Sequence, residues 1–257
     1  MSRRLFPVLS ITALILSVLA CNFLGSSAPS APASTESLSL PSSSSAGGAC
    51  DNALYPVVVG ASWNYSMTNT VPGNFTRSIT AVNADGFTDQ DVFASGITRT
   101  GEWKCDHGAL IALQPDGGAS GTVQANNITA VFQTTDMNGI TFPATVNAGD
   151  SWAQNFTLEG TESFNGQDIP AKNETAFSCT AGNTESVTVP AGTFNAIRVD
   201  CKTDIKITVT VNGVTVPTDV STTSTMWYAS GVGLVKSDNM ITGSGNNTIE
   251  LTVYTIP

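Results

Sequence analysis

In residues 205–211, Ile205, Ile207, Val209 and Val211 alternate with Lys206, Thr208 and Thr210; after Asn212-Gly213 the alternation resumes in Val214-Thr215-Val216. A period of two puts the apolar side chains on one face of an extended strand. Asn-Gly is the pair that best tolerates the two positive φ angles of a type I′ turn, so this stretch predicts a β-hairpin. The same alternation predicts strands at 61–68, 76–83, 87–94, 108–114, 121–125, 128–134, 152–158, 173–180, 184–190, 194–203, 221–229, 232–237 and 247–255. Turn pairs punctuate them: Pro72-Gly73, Asp85-Gly86, Asp116-Gly117-Gly118, Asn138-Gly139 and Asn165-Gly166. No window after residue 20 carries an apolar stripe of helical period. The expected class is all-β: a large, curved antiparallel sheet forming a half-barrel or barrel, with a sandwich as the other closed solution.

The N-terminus reads differently. Arg3 and Arg4 precede an apolar run from Leu5 to Ala20, of signal-sequence length and short for a transmembrane helix. The run ends in Val18-Leu19-Ala20-Cys21, which resembles a bacterial lipobox. That reading implies a signal peptide over 1–20 and diacylglyceryl transfer to the thiolate of Cys21. Residues 25–48 are almost all Ser, Ala, Pro and Gly, and bury too little apolar surface to offset the entropy of ordering. Residues 21–49 are therefore expected to be a lipid anchor and flexible linker, with the membrane as partner.

Of the ten basic residues, Arg3 and Arg4 leave with the signal, and the eight that remain face 20 acidic ones. Such a balance excludes nucleic acid as a partner. With Cys21 assigned to lipid, Cys50, Cys105, Cys179 and Cys201 form an even set in an exported chain, which implies two disulfides. Cys179 and Cys201 flank the Val189–Phe194 turn at similar distances, which favours pairing them and leaves Cys50 with Cys105. The other two connectivities stay open. No Cys-x-x-Cys spacing is present to suggest a metal site.

The chain also echoes itself. Tyr55-Pro56 leads through Gly60 to Ser62-Trp63, as Phe142-Pro143 leads through Gly149 to Ser151-Trp152. Trp103 precedes Leu110-Ile111 by seven residues, as Trp227 precedes Leu234-Val235. This suggests two related β-units, 50–138 and 139–257, able to join as one domain. Trp63, Trp103, Trp152 and Trp227, with Tyr228, are expected to fill the concave side of the sheet; the other reading makes them an aromatic platform for sugar or lipid.

Three segments together resemble a loosely defined family of bacterial envelope proteins labelled as domains of unknown function or TapB-like. They are YPVVVGASWNYS (55–66), ESVTVPAGTFNAIRV (185–199) and WYASGVGLVKSD (227–238). The resemblance covers most of residues 55–254. It implies a curved antiparallel sheet like the open half-barrels of lipoprotein carriers, and it implies no activity. The long linker and the four cysteines depart from the pattern.

Catalytic signals are weak. His107 is the one histidine and sits in Cys105-Asp106-His107-Gly108, which reads as a surface turn. Gly243-Ser244-Gly245 has no helix after it, so it is no nucleophile elbow. Asp85, Asp89 and Asp91 lack the spacing of an EF-hand loop and read as a solvated turn, not a calcium site. No pair among the acids is singled out for glycoside hydrolysis. The expectation is a non-enzymatic, cofactor-free, lipid-anchored extracytoplasmic module that binds a surface protein or glycan. A carrier of an apolar ligand and a cell-surface glycan hydrolase are the alternatives.

Overall fold

A computed structural model of the chain describes residues 48–257 apart from 70–71, 114–121, 126–127, 165–166, 212–213 and 242–244. Cys21, the signal sequence, nearly all of the linker and the Asn165-Gly166 and Asn212-Gly213 turns lie outside the described residues. The strands are β1 (Ser62–Asn69), β2 (Gly73–Val82), β3 (Gly86–Phe93), β4 (Thr98–Asp106), β5 (Ala109–Ala112), β6 (Thr122–Ala125) and β7 (Ile128–Gly139). They continue with β8 (Ser151–Phe164), β9 (Gln167–Val189), β10 (Gly192–Val211), β11 (Val214–Ala229), β12 (Gly233–Ile241) and β13 (Gly245–Thr255). All belong to one antiparallel sheet, ordered β3-β2-β1-β13-β12-β11-β10-β9-β8-β7-β6-β4-β5. β3 also pairs with β4, which brings the ends of the order together into a barrel-like sheet. The two sequence units thus share one sheet, sewn together by β1 against β13.

Asn138-Gly139, expected as a turn, instead ends β7, paired with Asn155 and Gln154 of β8. Val211 faces Val214 and Phe164 faces Gln167, each across two residues. Pro190-Ala191 joins Val189 to Gly192, which takes φ 138°. Two more expectations are corrected. Segments 173–180 and 184–190 are one strand, β9: pairing with β10 resumes beyond a register shift, with Ala181 opposite Val199 and Thr184 opposite Ile197. The sequence reading assigned no strand to residues 98–106, yet β4 runs there: Trp103 and Cys105 are its main apolar anchors, and its partners β3, β5 and β6 supply the register.

Alternation divides the sheet into an apolar inner face and a polar outer one. Trp63, Tyr65, Phe75, Phe87, Trp103, Leu110, Phe142, Trp152, Val235 and Leu251 form a continuous core at one end. The segment before β1 closes that end. Its Asn52 is buried and donates to the carbonyls of Gly108 (2.8 Å) and Pro143 (2.9 Å), while Gly231 N–H donates to Ala53 O (2.7 Å). Gly108, at φ 86°, passes so near that a Cβ there would lie 2.6 Å from Asp51 O. At the other end β8 to β11 run on past β12, whose pairing with β11 stops at Thr222. There Ala171, Ile207 and Val209 build a second, smaller cluster.

The four cysteines pair as Cys50–Cys105 and Cys179–Cys201, the second joining residues directly opposite in β9 and β10. The bridges span 55 and 22 residues. Restricting unfolded loops of those lengths stabilises the fold by about 4 and about 3 kcal/mol in the chain-entropy account.

Candidate functional site

Two polar constellations stand out, one on each face. The inner one lies beside the aromatic core. In β3, Phe87, Asp89 and Asp91 point inward together, and both carboxylates are fully buried. This corrects the expectation of a solvated turn: only Asp85 is exposed and precedes the strand. Burial is tolerated because countercharges arrive from both neighbouring strands. Arg77 of β2 donates to both Asp91 oxygens at 2.8 Å, and Arg99 of β4 approaches to 3.6 Å while its guanidinium lies 4.4 Å over Phe93. Burial alone would raise the Asp91 pKa, but Arg77 and Arg99 outweigh it and hold the carboxyl below its ordinary range. Asp89 has the weaker share of those charges. Tyr55 OH donates to its Oδ2 at 3.2 Å, and desolvation, opposed by Arg77, pushes its pKa up to about 6. Tyr55, Phe87 and Trp103 cover the pair, with ring centroids 5.1–5.8 Å apart.

A concavity of about 690 Å³ opens on the inner side of β9 to β13 and the end of β1. The register partners Cys179, Cys201, Ser224, Asn239, Asn247 and Asn69 form one row across it, on the face to which the buried Cys179 and Cys201 point. The outer constellation is a polar ladder in which Asp200 lies opposite Thr225 and Thr225 opposite Asp238. Asp200 Oδ1 accepts from Thr225 Oγ1 (2.7 Å) and from Arg198 (2.8 and 3.1 Å). Asp238 Oδ1 accepts from Thr248 Oγ1 (2.8 Å), and Lys236 Nζ stands 3.7 Å from Oδ2. Along β10 the outward side chains run Arg198, Asp200, Lys202, Asp204, so charge alternates at the strand period.

The tryptophans separate between these faces. Trp63 and Trp152 are buried, their indole N–H groups donating to Val232 O (2.6 Å) and Thr141 O (2.8 Å), and Trp103 is stacked on Phe87. Trp227 departs from the expectation of inward packing. It is half-buried on the outer face, hydrogen-bonded to Glu185 and with Lys236 Nζ 5.4 Å from its ring centre. Tyr228 takes the inward position, 4.8 Å from Phe142, and burial pushes its pKa up to about 12. His107 lies in the β4–β5 turn with its ring exposed and bonded to Asp106. Among the described residues no group of three His, Cys, Asp or Glu has metal-binding geometry.

No curated protein matches the chain. Solved structures that resemble it include a protein described as exported, with a YmcC-like fold, from Bacteroides fragilis. It is 14% identical over 80% of this chain and 100% of that one, with a TM-score of 0.46. A protein described as a lipoprotein from Parabacteroides distasonis is 15% identical over 79% of this chain and 99% of that one, with a TM-score of 0.47. The hypothetical lipoprotein YmcC from Escherichia coli is 11% identical over 77% of this chain and 86% of that one, with a TM-score of 0.33. Residues 104–243, from the end of β4 to just past β12, match the model of the DUF3108-like family. That match spans more than half of the 257 residues, and the chain belongs to the DUF3108-like family.

Proposed function

We propose that this protein is a non-enzymatic, extracytoplasmic binding module, held at a membrane by lipid on Cys21 and offering the inner concavity beside β9 to β13 to an envelope component. That concavity carries the reading: about 690 Å³ in volume, it is bordered by Ser224, Asn239 and Asn247, whereas the inner face at the capped end is filled by Trp63, Trp103, Trp152 and Phe87. The lipobox Val18-Leu19-Ala20-Cys21 and the linker support the anchor, and two bridges among the four remaining cysteines suit an oxidising compartment. The three segments resembling TapB-like envelope proteins agree with that location.

The acids argue for binding over hydrolysis. Asp89 and Asp91 are shut in the core. Asp200 and Asp238 are each nearly half exposed and already accept from a threonine hydroxyl beside a cation. They stand two strand spacings apart, roughly 10 Å at the backbone. Among the described residues no desolvated acid faces them, as an acid–base pair for glycoside cleavage requires.

Two measurements on the full-length protein in cells test this. Labelled fatty acid should enter the wild type and not Cys21→Ser; equal labelling would contradict the anchor. Purified full-length protein should co-sediment with native envelope fragments, and Ser224→Arg, which puts a long side chain into the concavity, should abolish this. Unchanged co-sedimentation, or none by the wild type, would contradict the role of the concavity.

A further inference from the structure

The strands around the inner concavity sort their charges completely. Over 171–181 in β9, 199–209 in β10, 216–226 in β11, 235–239 in β12 and 247–251 in β13, every inward residue is neutral. The charged residues of the same segments, from Lys172 and Glu174 to Asp238 and Glu250, all point outward. In a chain of net charge −10, this leaves the inner face without a charge to attract or balance an ionic ligand.

The two faces also differ in how their neutral polar groups are paired. Outside, hydroxyls donate to acids: Ser221 to Asp204, Thr225 to Asp200 and Thr248 to Asp238. Inside, the half-buried hydroxyls of Thr203, Thr222 and Ser224 have no protein partner among the described residues. Neither do the buried oxygens Asn173 Oδ1, Thr175 Oγ1 and Asn247 Oδ1. Asn239 Oδ1 accepts from Ser237 Oγ at 3.1 Å, which leaves its amide N–H groups to donate. Apolar groups lie among them. Phe177 is opposite Thr203, and Ile205 is opposite both Thr175 and Val220. Unpaired polar groups on an enclosed face are uncommon in native folds and call for a partner from outside the chain.

The chemistry of a fitting ligand follows. It is uncharged, apolar in part, and brings both donors and acceptors. Successive inward residues on one strand lie about 6.7 Å apart, and same-facing peptide groups of an extended chain recur at that interval. Asn239 and Asn247 stand directly opposite each other on β12 and β13. Each carboxamide carries a donor and an acceptor, as a peptide unit does. An acyl chain would cover these groups without bonding them, at a desolvation cost for each. A charged segment would meet no countercharge inside.

We propose that the inner face of β9 to β13 holds an extended, uncharged segment of a partner polypeptide, its backbone bonded by Thr222, Ser224, Asn239 and Asn247 and its apolar side chains lying on Phe177, Ile205 and Val220. This rests on the inner concavity being the binding surface. Mature full-length protein in detergent micelles is titrated by calorimetry with an acetylated and amidated octapeptide alternating serine and valine, and with versions carrying glutamate or lysine in place of the serines. A neutral hexasaccharide and oleamide are the comparison ligands. The neutral peptide should bind, and each charged version about tenfold more weakly or worse. Asn247→Leu keeps the size of the side chain and removes an orphaned buried oxygen, so it should fold as the wild type does. It should weaken peptide binding about tenfold, the equivalent of one or two hydrogen bonds. Thr222→Val, which loses one hydroxyl, should weaken it less. Absence of binding by the neutral peptide, equal binding by a charged version, tighter binding of the saccharide or of oleamide, or undiminished binding by Asn247→Leu overturns the peptide assignment. If Ser224→Arg still abolishes co-sedimentation with envelope fragments, the assignment falls and the concavity stands; if it has no effect, both fall.

Discussion

Arg77–Asp91 and Arg198–Asp200 are the same pair of residue types at the same contact distance of 2.8 Å, on opposite faces of one sheet. Inside, the carboxylate is fully buried and the arginine side chain 17% exposed; outside, the figures are 47% and 46%. The inner pair is obligatory, because removing either partner strands a charge in a low-dielectric interior. The outer pair is solvated with or without its partner, so it is free to exchange a bond for one to a ligand. The contrast teaches that the same ion pair is structural where it is buried and exchangeable where it is solvated.

The largest effect should come from breaking the inner pair. Arg77→Ala should destabilise the protein by about 3–5 kcal/mol in denaturant titrations, the usual cost of an orphaned buried charge. A loss near that of a surface pair would mean water reaches Asp91.

Next is Asp89. Its folded pKa of about 6 lies above the ordinary 3.8, so the folded state holds this proton more tightly than the unfolded chain. Stability attributable to Asp89 is present at low pH and lost as pH rises from about 4 through about 6. Asp89→Asn keeps the neutral shape, so it should match the wild type at pH 4 and exceed it by up to roughly 3 kcal/mol at pH 8. Equal stability at pH 8 would show that Arg77 already compensates Asp89.

These inner groups explain what was and was not legible in the sequence. Alternation located most strands, and Pro190-Ala191-Gly192 marked the β9–β10 hairpin. Phe87, Asp89 and Asp91 also alternate, which placed both acids on the face of a core aromatic. Aspartates near a turn nevertheless suggest solvent, and the countercharges come from β2 and β4, beyond any local window. Trp227 and Tyr228 are adjacent aromatics, so periodicity alone cannot tell which turns inward; packing of Tyr228 against Phe142 decides it. The outer ladder had a faint signal: Arg198, Asp200, Lys202 and Asp204 alternate in charge at period two. The inner concavity had none, because its row of Cys179, Cys201, Ser224, Asn239 and Asn247 is assembled by the registers of β9 to β13.

The smallest effect completes the comparison. Arg198→Ala should cost under about 1 kcal/mol of stability, less still at high salt, as for exposed ion pairs. A loss matching that of Arg77→Ala would erase the distinction between the faces.

The most direct test uses two consecutive residues. Ser224 points into the inner concavity and Thr225 out to the opposite face, opposite Cys201 and Asp200 respectively. A photoreactive amino acid replaces one or the other in full-length protein on intact cells. Irradiation should link the protein to an envelope component from position 224 and not from 225. Adducts from 225 alone, or equally from both, would contradict the account and place binding on the outer face.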